Sequence, residues 1–91
     1  MPLAALIRIS GEVQGVGLRY TVLQYALAHH LKGWIKNEPD DTVTCYFNNK
    51  PEEVENFLNW LKLQKNFPRI TKIELEWVKE LGCFNNFTIK Y

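Results

Sequence analysis

The sequence of 91 residues contains only two cysteines and two histidines. Cys45 and Cys83 could form one disulfide at most, and they show neither CxxC nor Cys/His ligand spacing. Adjacent side chains diverge by about 100° on a helix, so His29 and His30 cannot bind one metal ion from the same face. We therefore expect a reduced chain in the cytoplasm, with no metal and no cofactor.

Long hydrophobic runs and an excess of charge are also missing. The longest apolar run, residues 2–7, ends at Arg8 and follows no basic segment, which excludes a transmembrane helix and argues against a signal peptide. Eleven Lys and Arg residues against ten Asp and Glu give a net charge of +1, so no global field attracts nucleic acid or an anionic membrane. We expect neither partner, and any anion site must be built locally.

The chain does have enough apolar material for one compact core, because 46% of its residues are apolar. Its length is below the commonest domain size, so we expect residues 1–91 to form a single domain, and we expect that domain to act as a monomer. The three tryptophans lie in elements that need core or interfacial bulk, and the aromatic signature of RNA-binding domains is missing.

Hydrophobic periodicity divides the chain into five strands and two helices. Alternation predicts the strands, i, i+4 spacing predicts the first helix, and Pro51 followed by two glutamates predicts the start of the second. The predicted segments are a strand over 4–13, a helix over 19–30, hairpin strands over 33–37 and 42–48, a helix from 51, a strand from 70 and a short strand over 87–91.

The order βαββαβ, with one more short strand, predicts the fold class. Right-handed crossovers through each helix convert this order into a split βαβ sandwich. We expect a ferredoxin-like α+β fold, an antiparallel sheet with both helices on one face. This fold hosts many functions, so function must be argued from a site.

The most informative segment is the glycine-rich stretch 11–19, which joins the first strand to the first helix. Unpaired N–H groups at a helix N-terminus and in a glycine-permitted turn can converge on one anion. Arg19 adds a planar guanidinium that can bind two phosphoryl oxygens. The alternative is that the glycines only allow a tight turn and that Arg19 is a solvated surface residue.

Two motifs in the correct order resemble those of the acylphosphatase family, and the similarity extends over essentially the whole chain. The family pattern is G-x-V-Q-G-V-G-F-R, then a helix, then G-W-V-x-N-x-x-D-G-x-V. It is matched by Gly11, Val13, Gln14, Gly15, Val16, Gly17, Arg19, Gly33, Trp34, Asn37, Asp40 and Val43.

The resemblance implies hydrolysis of small acyl phosphates to a carboxylate and inorganic phosphate, without metal or covalent intermediate. The family's catalytic arginine corresponds to Arg19, and its water-positioning asparagine corresponds to Asn37. Its phosphate-binding loop, whose backbone N–H groups surround the phosphoryl oxygens, corresponds to Gln14, Gly15, Val16, Gly17 and Leu18. The alternatives are a non-catalytic phosphate-binding or interaction module, or a domain like that of hydrogenase-maturation carbamoyltransferases. Retention of both Arg19 and Asn37 favours the enzyme.

The sequence departs from the family pattern at several positions. Leu18 replaces the usual Phe, and Asp41 and His30 replace usual glycines. A residue just past a helix end often adopts the left-handed conformation, so we expect His30 to have a positive φ. Cys45 alternates in phase with apolar neighbours and is expected to be a buried core thiol, whereas Cys83 lies beside Gly82 in a predicted loop.

Overall fold

A computed structural model describes residues 3–65, 67, 69–80, 82 and 84–91. Its elements follow the predicted order, although β1 ends two residues earlier than expected and α1 begins one residue earlier and ends two earlier. The elements are β1 Leu3–Gly11, α1 Leu18–Ala28, β2 Gly33–Asn37, β3 Val43–Phe47, α2 Pro51–Lys62, β4 Ile70–Lys79 and β5 Phe87–Ile89. No helix within the described ranges is long and apolar enough to cross a membrane.

The five strands form one sheet in the order β4-β1-β3-β2-β5. The pairs β1–β4, β1–β3 and β2–β3 are antiparallel, as predicted, whereas β2 and β5 are parallel. The sheet is therefore mixed at this edge. β4 ends at the end of the sheet where β2 begins, so the chain enters β5 from that end and β5 runs parallel to β2. β5 then starts at that same end, where the N–H of Gly33 donates to the carbonyl of Asn86. The ferredoxin-like α+β class is confirmed.

Both helices cover the same face of the sheet. Paired residues of β1 and β3, such as Ile7 opposite Cys45, are fully buried on that face. One core cluster joins them to the buried residues of both helices, namely Leu18, Val22, Ala26, Val54, Phe57 and Leu61. Burial raises the pKa of the Cys45 thiol, and the prediction of a core thiol is confirmed. Cys83 lies outside the described residues.

The register brings several connections to one end of the sheet, which we call the glycine-loop end. β1 and β2 both finish there, at Gly11 and Asn37, and β3 begins opposite Asn37. The parallel β5 also runs toward this end and carries the following residues, Lys90 and Tyr91, to it. The N–H of Lys90 donates to the carbonyl of Ile35 and fixes this approach.

The first helix ends in a Schellman motif. The N–H of Leu31 donates to the carbonyl of Ala26 at 2.8 Å, and the N–H of His30 donates to that of Leu27 at 3.4 Å. His30 has a φ of 57°, which confirms the expected left-handed conformation. Asp41 has a φ of 72°, so the hairpin keeps a left-handed turn residue without a glycine.

We predict that His30→Gly raises the free energy of unfolding or leaves it unchanged. Glycine has no Cβ penalty at positive φ, whereas a non-glycine residue there stores about 1 kcal/mol. Gln24→Gly, at an exposed position inside the same helix, is the control and should cost about 0.5–1 kcal/mol. Urea denaturation of the three proteins measures the difference. Equal losses in both variants would contradict the strain at His30.

Candidate active site

The loop that follows β1 enters α1 through two glycines in the left-handed conformation. Gly15 has a φ of 76° and Gly17, the N-cap of α1, has a φ of 83°. A Cβ at either position would meet no atom within 4 Å. Backbone conformation rather than lack of space therefore favours glycine at both positions.

The backbone donors of this loop are unpaired. The N–H groups of residues 15–20 donate no hydrogen bond to any other residue that the structure describes, and the first bond into the helix runs from the N–H of Thr21 to the carbonyl of Gly17. Unpaired N–H groups at a helix N-terminus form a favourable position for an anion. The loop can therefore supply several fixed donors to one phosphoryl-sized group.

A cleft of about 220 Å³ opens beside this loop. It brings together five of the predicted site residues: Gly15, Gly17, Leu18, Arg19 and Asn37. The side chains of Gln14 and Val16 do not line it. The remaining lining residues, which were not predicted, are Val13, Tyr20, Ile89 and Tyr91. The presence of Tyr20 in the cleft could have been inferred, because it follows Arg19 in the sequence. The presence of Tyr91 could not, because it depends on the parallel direction of β5.

Asn37, the last residue of β2, presents a buried acceptor to the cleft region. Its Oδ1 is the single buried side-chain polar atom without a hydrogen-bond partner among the described residues. Leaving a buried acceptor unpaired costs about 1–3 kcal/mol. A water molecule or ligand that donated to this oxygen would remove the cost.

Arg19 supplies a positive charge that no described carboxylate neutralises, because none lies within salt-bridge distance. Its Cζ lies 5.3 Å from the centroid of the Tyr91 ring. The guanidinium donates no hydrogen bond to any side chain or carbonyl that the structure describes, so its N–H groups are free. The side chain is thus held at the cleft with its hydrogen-bonding capacity available.

Gln14 connects the loop to the hairpin between β2 and β3. Its Nε2 donates to the carbonyl of Glu38 at 2.8 Å and to that of Thr42 at 2.9 Å. Glu38 directly follows Asn37, so this double contact fixes the glycine loop relative to the asparagine. We call it the Gln14 clamp. The glutamine side chain is therefore a positioning group rather than part of the cleft wall.

The hairpin that receives the clamp is itself fixed by Asp40. One carboxylate oxygen of Asp40 accepts from the hydroxyl of Thr42 at 2.6 Å and from its N–H at 3.1 Å. The bond from the hydroxyl has the larger effect, and together the two bonds hold the pKa of Asp40 below its usual value. The N–H of Glu38 also donates to the carbonyl of Thr42, so both acceptors of the clamp belong to one closed turn.

The cleft lining contains no side-chain carboxylate, imidazole or thiol. Within the part of the chain that the structure describes, no group of three or more His, Cys, Asp or Glu side chains could hold a metal ion. The chemistry available in the cleft consists of backbone N–H donors, one guanidinium, one side-chain amide and the hydroxyls of Tyr20 and Tyr91.

Fold and cleft define a small α+β domain with a glycine loop at the start of its first helix, whose N–H groups have no partner among the described residues. The sequence model of the acylphosphatase family matches residues 5–89. An acylphosphatase from Bacillus licheniformis is 38% identical over 85 residues, which cover 93% of this chain and 94% of the relative. The crystal structure of the acylphosphatase from Bacillus subtilis superimposes with a TM-score of 0.87 at 31% identity, covering 98% of this chain and 99% of that one.

The chain belongs to the acylphosphatase family and is an enzyme that hydrolyses acyl phosphates. It also resembles a short part of larger proteins. A probable carbamoyltransferase HypF from Methanocaldococcus jannaschii is 38% identical over 84 residues, which cover 91% of this chain but 11% of that protein.

We predict that Gln14→Ala weakens the binding of inorganic phosphate and lowers the free energy of unfolding by about 1–2 kcal/mol. The variant loses both bonds of the clamp, so the loop donors are no longer fixed. Gln24→Ala, an exposed glutamine of α1, is the matched control. Competitive inhibition by phosphate and thermal unfolding measure the two effects. Identical inhibition constants in both variants would show that the clamp does not hold the loop.

Proposed function

We propose that this protein cleaves the carboxyl–phosphate bond by direct attack of a water molecule that Asn37 positions, without a metal ion. The observation that carries the proposal is the unpartnered, buried Oδ1 of Asn37 beside a cleft that also holds Arg19. A buried acceptor without a donor is rare in folded proteins, and it suits a site that a water molecule fills.

The phosphoryl group is assigned to the loop and to Arg19. Residues 14–18 would surround its equatorial oxygens with backbone N–H groups, and the guanidinium would bind two of those oxygens. The unpaired N–H groups of the loop and the unneutralised charge of Arg19 support this assignment. Donors fixed in advance lower the barrier of phosphoryl transfer because charge develops on these oxygens.

The water molecule donates a hydrogen bond to Oδ1 of Asn37, and its oxygen attacks phosphorus opposite the leaving group. The P–O bond to the acyl group breaks, and its electron pair leaves with the carboxylate. The proton of the water passes to a phosphoryl oxygen, so the products are a carboxylate and inorganic phosphate. A carboxylate is a good leaving group, and this step needs no general acid from the protein.

We also propose a setting for the enzyme. Residues 1–91 act as one domain and as a monomer in the cytoplasm, on a small acyl phosphate, with inorganic phosphate as product and without nucleic acid or membrane. The near-zero net charge supports the absence of nucleic-acid and membrane partners from this proposal. Two alternatives stand beside the enzyme: a non-catalytic phosphate-binding module, and a domain like that of hydrogenase-maturation carbamoyltransferases. The similarity to about a tenth of HypF proteins supports the latter.

The direct test is the hydrolysis of benzoyl phosphate with EDTA present throughout. We expect full turnover, because every group assigned to the reaction is a backbone amide or a side chain. Loss of activity in EDTA with recovery on adding a divalent cation would contradict the metal-free mechanism. Phosphate binding without any turnover would support the non-catalytic module.

We predict that Arg19→Ala abolishes turnover and raises the inhibition constant of phosphate. The guanidinium is the single charged side chain in the cleft lining, and Arg19→Lys should restore little because lysine lacks the planar fork. Arg8→Ala, an exposed arginine on the helix-free face, is the control for lost positive charge. Equal inhibition constants for the wild type and Arg19→Ala would remove Arg19 from the phosphoryl site.

We predict that Asn37→Ala lowers kcat by about 10²–10³-fold, by analogy with the loss of one transition-state donor, and leaves phosphate inhibition nearly unchanged. Its free energy of unfolding should stay within about 1 kcal/mol of the wild type, because the acceptor that it removes has no partner. Asn56→Ala, exposed on α2, is the control. A wild-type kcat in Asn37→Ala would assign Asn37 to the turn alone.

A further inference from the structure

We infer that the protein has a second ligand site, which binds a flat aromatic molecule that carries one negative charge. The site is a cleft at the end of the sheet opposite the glycine-loop end. We call it the second cleft. It shares no residue with the cleft beside the glycine loop, so the inference does not rest on the proposed function.

The second cleft lies where several elements meet. β1 begins at this end of the sheet, β3 and β4 finish there, and α2 starts from the connection that follows β3. Its volume is about 680 Å³, against about 220 Å³ beside the glycine loop, and falls within the roughly 300–1,000 Å³ of small-molecule sites. The lining side chains that could contact the ring or the charge of a ligand are Leu3, Lys32, Asn49, Lys50, Glu53 and Trp77.

Leu3 and Trp77 supply the apolar wall of the second cleft. Both point to the helix-covered face of the sheet, because Trp77 pairs with Ala5 and Leu3 lies two residues before Ala5. Leu3 is 50% exposed and Trp77 is 37% exposed. The rings of Trp34 and Trp60 stack on tyrosines, whereas the Trp77 ring contacts no aromatic ring among the described residues. The Trp77 ring is therefore available to stack with a flat ligand.

Four side-chain donors of the second cleft have no partner among the described residues. They are the ammonium groups of Lys32 and Lys50, the amide nitrogen of Asn49 and the indole N–H of Trp77. The side-chain oxygen of Asn49 is already used, since it accepts from the backbone N–H of Lys32 at 2.9 Å. A carboxylate offers acceptors to several of these donors at once, and hydrogen bonds to an ionised acceptor are stronger than neutral ones.

The lysines make the lining of the second cleft positive. Lys32 and Lys50 against Glu53 give it a net charge of +1, and neither lysine forms an ion pair with a described carboxylate. Glu53 accepts a hydrogen bond from the backbone N–H of Lys50 at 3.3 Å, and together with Glu52 it offsets the positive N-terminus of α2. The attraction for an anion therefore comes from the two lysines rather than from the helix, and a single negative charge matches it.

The wall that carries Lys32 is fixed before any ligand binds. The backbone N–H of Asn48 donates to the carbonyl of Lys32 at 2.8 Å, and the side chain of Asn48 donates to Glu80 at 2.7 Å. With the bond between Lys32 and Asn49, these contacts join the connection before β2 to the connection after β3. A site that is ordered in advance loses less conformational entropy on binding, which favours a small ligand.

The test is an NMR titration of the isotopically labelled full chain with 2-naphthoate, an aromatic monocarboxylate, in saturating inorganic phosphate. The indole N–H of Trp77 and the backbone N–H groups of Lys32 and Asn49 should shift, whereas those of residues 15–20 should not. The neutral 2-naphthamide has a similar shape and should bind about three- to tenfold more weakly, the size of one or two exposed ion pairs. Acetate, which has the charge without the ring, should cause no shift of the Trp77 indole at the same concentration.

Variants separate the charge from the ring. Lys32→Gln combined with Lys50→Gln should weaken 2-naphthoate about three- to tenfold and leave 2-naphthamide unchanged. Lys62→Gln, an exposed lysine at the far end of α2, is the control and should change neither. Trp77→Ala should weaken both ligands about three- to tenfold. Leu75→Ala, an exposed residue of the same strand outside the second cleft, is its control.

Three results would each overturn the inference. The first is equal binding of 2-naphthoate and 2-naphthamide, and the second is an unchanged affinity for 2-naphthoate in the double lysine variant. The third is displacement of 2-naphthoate by phosphate, with shifts confined to residues 15–20, which would place the probe in the catalytic cleft. The lysine result decides even if Trp77→Ala fails to fold, because both lysines are exposed and neither ammonium group bonds to a described residue.

Discussion

The candidate active site depends on the two hydrogen bonds that the Gln14 amide donates to the hairpin. The loop is built on left-handed glycines that make few contacts of their own, so its conformation needs an outside restraint. The hairpin provides that restraint because Asp40 and Thr42 already close it. One side chain thus sets the position of the loop donors relative to Asn37.

The sequence predicted the order of the elements and five residues of the cleft, because periodicity and glycine spacing are local signals. It did not predict the direction of β5, which is decided by the end of the sheet at which the chain arrives, a property of the whole topology. The place of Tyr91 depends on that direction and was missed for the same reason. The clamp was also missed, since the resemblance assigned Gln14 to the phosphate group through its backbone alone.

The cleft combines three groups without a partner among the described residues: the loop N–H groups, the buried acceptor of Asn37 and the charge of Arg19. The buried acceptor disfavours the empty folded state. Each of the three groups would be satisfied by an anion together with a water molecule. Stability is lost so that the donors are fixed before the substrate arrives, a trade-off common at functional sites. The well-packed core under both helices compensates for that loss.

The short strand β5 has a consequence for motion at the cleft. It has three residues, pairs with β2 alone and lies at the edge of the sheet. Short edge segments open locally at a lower free energy than strands in the middle of a sheet. Because Ile89 and Tyr91 form one wall of the cleft, that wall belongs to a region of low local stability. The rate at which amide hydrogens of β5 exchange with solvent therefore also reports how often the cleft loses one side.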